Sequence, residues 1–65
     1  MTKVKIWMCE NKNVTFEEDK TFNEISYDIF REKVFLLIKK DKIALAINTE
    51  KILLVEEIKS ISIKL

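Results

Sequence analysis

The sequence predicts an all-β single domain over residues 1–65, a small barrel or sandwich of five to seven short antiparallel strands. Three observations predict it. A chain of 65 residues is long enough for one thin core and no more. Apolar segments of strand length are separated at short intervals by polar clusters, namely Asn11-Lys12-Asn13, Glu17-Glu18-Asp19-Lys20, Arg31-Glu32-Lys33, Lys39-Lys40-Asp41-Lys42 and Asn48-Thr49-Glu50-Lys51. Two pairs of these segments can also be registered as hairpins from their apolar patterns alone.

In the first hairpin, Val4, Ile6 and Met8 alternate with Lys3, Lys5, Trp7 and Cys9, while Val14 and Phe16 alternate with Thr15 and Glu17. The turn must keep both apolar sets on one face. A three-residue loop, Asn11 to Asn13, does so by pairing Met8 with Phe16 and Trp7 with Glu17, with Asn13 in the left-handed conformation. The segment Thr21 to Val34 has two readings. Thr21 and Glu24 form a capping box, and Phe22, Ile25 and Ile29 recur at helical spacing. The run from Asn23 to Phe30 is otherwise poor in strong helix formers, and Ile25, Tyr27 and Ile29 alternate as a strand would. Strand is preferred, and the alternative is an α+β fold with a short helix near residues 22–32.

The hairpin Val34 to Asn48 follows. With Lys40-Asp41 as a two-residue turn, Ile38 opposes Ile43, Leu37 opposes Ala44, Leu36 opposes Leu45, Phe35 opposes Ala46 and Val34 opposes Ile47. Both faces are then apolar and both need a cover, the rest of a closed barrel on one side and another subunit as a candidate for the other. Ile52 to Val55 reads as another strand, and Ile61, Ile63 and Leu65, alternating with Ser60, Ser62 and Lys64, as a last one.

Composition removes most chemistry from consideration. Histidine, glycine and proline are absent and there is one cysteine. No glycine loop can cradle a phosphate. A thiolate at Cys9 would lack an imidazole base, and it is expected to be a small, half-buried apolar residue on the strand face of Trp7. Adjacent acids such as Glu56-Glu57 point to opposite sides of a strand and do not converge on one site. No enzyme activity, cofactor or metal is therefore expected. A lone cysteine forms no intramolecular disulfide, and the absence of a signal-like or bilayer-spanning apolar run favours the cytoplasm and no membrane.

The expected activity is binding. The formal net charge of +1 argues against a partner held by bulk electrostatics. Candidate binding or interface residues are Trp7 with Lys3 and Lys5 on the polar face of the first strand, Arg31 as the one arginine, Phe35 and Leu37 on the two-faced hairpin, and Lys40 at its tip. A homo-oligomer, dimer or higher, would cover the second hairpin face. Lys3, Lys5, Arg31 and Trp7 could serve a nucleotide or other small anionic ligand. Trp7 with a basic rim from Lys39, Lys40 and Lys42 would suit single-stranded nucleic acid, the less favoured reading because the acidic clusters break any basic track.

The stretch Ala44-Leu45-Ala46-Ile47-Asn48, a three-residue turn and then Ile52-Leu53-Leu54-Val55-Glu56 resembles the ends of small uncharacterised β-rich proteins encoded by phages and mobile elements of AT-rich bacteria. The resemblance covers the C-terminal half. Eleven of the 12 basic residues are lysine, the bias that AT-rich codons produce. The resemblance implies a stoichiometric inhibitor of a host protein, such as a defence protein, working in the host cytoplasm; it carries no site residues with it.

Overall fold

A computed structural model describes residues 1–59 of the chain. Strand β1 (Thr2–Met8) leads through a tight turn into β2 (Asn13–Glu18), then helix α1 (Phe22–Phe30), the hairpin β3 (Val34–Lys39) and β4 (Lys42–Asn48), a single 3-10 turn at Thr49–Lys51, and β5 (Ile52–Ile58). The strands form two antiparallel sheets, one of three strands in the order β2-β1-β5 and one of two strands, β3-β4. The fold is therefore mostly β, with five strands and one short helix, and no closed barrel forms among the described residues. The strand expected over residues 61–65 lies outside them.

The N-terminal hairpin keeps the expected face but not the expected register. Val4 pairs with Phe16, Ile6 with Val14 and Trp7 with Asn13, so the apolar residues of both strands share one side. The loop is longer than three residues. Met8 N–H donates to Lys12 O at 2.8 Å across it. Glu10 and Asn11 take positive φ of 65° and 60°, the role assigned in sequence to Asn13. Cys9 consequently lies in the turn rather than on a strand; it is exposed, and its Sγ donates to Lys51 O at 3.6 Å.

Residues 22–30 are helix, which corrects the preference for strand. Thr21 is the N-cap. Its hydroxyl accepts from Glu24 N–H at 3.2 Å, and the Glu24 carboxylate accepts from Thr21 N–H at 3.1 Å, so both arms of the box close. Helical winding puts Ile25 and Ile29 on one buried face and leaves Tyr27 70% exposed. A strand would have buried or exposed all three together. Tertiary burial of two isoleucines outweighs the mediocre propensities of their neighbours.

The second hairpin also needs a correction. Lys40-Asp41 is the two-residue turn, with positive φ of 50° and 60° that match the primed hairpin turns. Lys39 pairs with Lys42 and Ile38 with Ile43, but a bulge then shifts the register, so that Leu37 pairs with Leu45, Leu36 with Ala46, Phe35 with Ile47 and Val34 with Asn48. The extra residue of β4 exchanges the faces of everything beyond it. Phe35, Leu37, Leu45 and Ile47 now share the inner side, and Val34, Leu36, Ile38, Ile43 and Ala46 the outer.

One core joins all the parts. Val4, Ile6 and Phe16 from the larger sheet, Ile25 and Ile29 from the helix, and Leu37 and Ile47 from the hairpin form its buried set. The Phe16 and Phe35 rings meet across the two sheets at 5.8 Å. At the base of the hairpin, Thr49 ties both strands to the end of the helix. Its N–H donates to Lys33 O at 2.9 Å, and its hydroxyl lies 3.0 Å from both Glu32 O and Lys33 O.

The helix start is also where charge supports the fold. The backbone hydrogen bond from Thr21, and then its hydroxyl, hold the Glu24 carboxyl below its ordinary value of 4.5. A carboxyl lowered on folding stabilises above its unfolded value, and that support is lost as pH falls through the folded value. Lys20 runs the other way. Its hydrogen bond to Asp28, with the Asp28 charge, raises it above 10.5, so its support is full below that value and fades as pH rises through the folded one. Urea unfolding of Thr21→Ala at neutral pH is expected to show a loss of about 1 kcal/mol. Glu24→Gln should flatten the decline in stability below pH 4.5 relative to the parent; an unchanged acid limb would remove the carboxylate from the helix start.

Candidate interaction surface

The inner side of β1 is consumed by the core, so its polar side faces outward. Pairing with β2 and β5 assembles three rows across that outer face: Glu17, Lys3 and Ile58; Thr15, Lys5 and Glu56; Asn13, Trp7 and Leu54. Each lysine thus has a carboxylate directly opposite on one neighbouring strand. Opposed charges at cross-strand register are favourable and make the strip mixed in sign rather than basic, although among the described residues neither Lys3 nor Lys5 closes an ion pair.

Trp7 is held on two sides. Its indole Nε1–H donates to Glu56 Oε1 at 2.9 Å, and Lys5 Nζ stands 4.1 Å from the ring centroid. Cation–π contact of this kind contributes about 0.5–1 kcal/mol at a half-exposed site. Glu56 therefore serves both Trp7, by a hydrogen bond, and Lys5, by lying opposite it on β5. The indole remains half-buried. Beside it Leu54 is 52% exposed. A register shift between Trp7 and Met8 leaves Leu53 unpaired on β5, and Leu53 is 71% exposed. An oriented aromatic, flanked by open leucines and rimmed by charges of both signs, has the composition common at protein contacts.

The other sequence candidates fall elsewhere. Arg31 is the C-cap of α1; its guanidinium lies 3.9 Å from Asp28 and 3.8 Å from Glu32 and over the Tyr27 ring at 6.0 Å. The helix packs on the Val4 and Ile6 side of β1, so Arg31 and Trp7 lie on opposite sides of the sheet. The set Lys3, Lys5, Arg31 and Trp7 is not brought together in one chain. Leu37 is buried and Phe35 half-buried, both in the core, so the open apolar face of the hairpin is the one that carries Leu36. Lys40 sits at the hairpin tip, in the turn.

Glu56, Leu54 and Ile58 are the site residues that sequence reasoning missed. In the sequence Glu56 is one of two adjacent acids expected to diverge, and the two do diverge: Glu56 lies opposite Lys5 on the outer face, Glu57 opposite Val4 on the inner. Pairing β5 with β1 is what reveals Glu56, and nothing local signals that long-range contact.

Surface depressions are shallow. One beside the helix is lined by Lys20, Asn23, Glu24, Tyr27 and Asp28, most of whose charges already pair with one another or with Thr21. Another, at the far end of the outer sheet face, is lined by Met1, Lys3, Glu17, Glu57, Ile58 and Lys59. Among the described residues, no group of three or more cysteine, aspartate or glutamate side chains is placed to hold a metal ion, and no helix is long and apolar enough to cross a membrane. Neither protein-family models, curated proteins nor solved structures yield a match to this chain.

Glu56→Ala removes the acceptor that orients the indole. Urea unfolding is expected to show a loss of about 1 kcal/mol, the usual worth of one such hydrogen bond. The steady-state anisotropy of Trp7, the single tryptophan, should fall at the same time. If stability and anisotropy both stay at parental values, the indole is not held by Glu56.

Proposed function

We propose that this chain is a non-enzymatic binding protein that occupies a protein partner through the outer face of its three-stranded sheet. The observation that carries this reading is the pre-oriented Trp7, fixed by Glu56 and Lys5 and flanked by exposed Leu54. An aromatic whose rotamer is already restricted gives up little further freedom on binding, which favours tight contact from a small area. The contact chemistry required of the partner is an apolar pocket for the indole edge and Leu54, bordered by groups of both signs to meet Lys3, Lys5, Glu17 and Glu56.

The biological setting that best suits such a chain is a phage or mobile element, with the protein acting stoichiometrically on a host protein, such as a defence protein, in the host cytoplasm. The lysine-for-arginine bias and the resemblance of the C-terminal half support that setting. Self-association belongs to the same reading. The small-anion alternative is less favoured because Arg31 and Trp7 occupy opposite sides of the sheet. Single-stranded nucleic acid is less favoured because each lysine beside Trp7 has a carboxylate opposite it.

The test is an affinity capture from bacterial lysate, comparing the parent with Trp7→Ala and Leu54→Lys. The parent is expected to retain one host protein at a fixed molar ratio that resists 0.5 M salt, and each variant to lose at least about 90% of it, the scale of a central aromatic anchor worth about 2 kcal/mol. Equal retention by all three proteins, or retention by the parent of salt-sensitive nucleic acid alone, would overturn the assignment.

A further inference from the structure

We draw no further inference here: the strongest candidate, the exposed aliphatic strip of Val34, Leu36, Ile38 and Ile43 on the outer face of the β3-β4 hairpin, carries none, because nothing in the structure shows what covers it.

Discussion

Ile25 and Ile29, one helical turn apart and both fully buried, are what make one molecule out of two small sheets. A two-stranded hairpin has little independent stability in water, and a three-stranded sheet with one apolar face must cover that face. The helix meets both needs by inserting two branched side chains where Val4, Ile6 and Phe16 meet Leu37 and Ile47. Each buried isoleucine is worth about 1.5–3 kcal/mol, a large share of what a domain this small can hold in reserve. The capping box at Thr21 and the Thr49 clamp then fix where the helix begins and where the hairpin leaves it.

From that arrangement follow the two open surfaces, and they differ in kind. The outer face of the larger sheet sets charges of both signs around an indole held by Glu56 and Lys5. The outer face of the hairpin is mostly exposed aliphatic surface. Most side chains with chemical potential are used in structure: Glu24 closes the cap, Asp28 holds Lys20 and Arg31, Glu56 holds Trp7. That use of the side chains is what supports the proposed reading of a protein that works by contact.

The sequence disclosed faces more readily than registers. Alternation in Val4-Ile6-Met8 and in Val14-Phe16 was enough to put both sets on one side, because a strand's period of two is rigid. It could not locate the turn, since Glu10 takes a positive φ that its residue type does not advertise. The bulge after Ile38 is equally silent in the sequence. It moves Leu45 and Ala46 to opposite sides from those simple pairing implies, which is why Phe35 and Leu37 prove to be core. The helix signal was present in Thr21, Glu24, Ile25 and Ile29, and local propensity outvoted it; the deciding term, burial against β1 and β3, is not local. Of the candidate surface, Trp7 with Lys3 and Lys5 was legible, whereas Leu54 and Glu56, the latter 49 residues from Trp7, depend on pairing with a strand distant in sequence.

The central claim is that a single core, bridged by α1, makes the two sheets unfold as one unit. Urea unfolding followed at one protein concentration by Trp7 emission and by hydrogen exchange at the amides of Leu37 and Ile47 tests it most directly, since the probes sit in different sheets. The account predicts one midpoint for all three. Exchange of the hairpin amides in urea that leaves Trp7 emission native would show the hairpin opening by itself, and would contradict it.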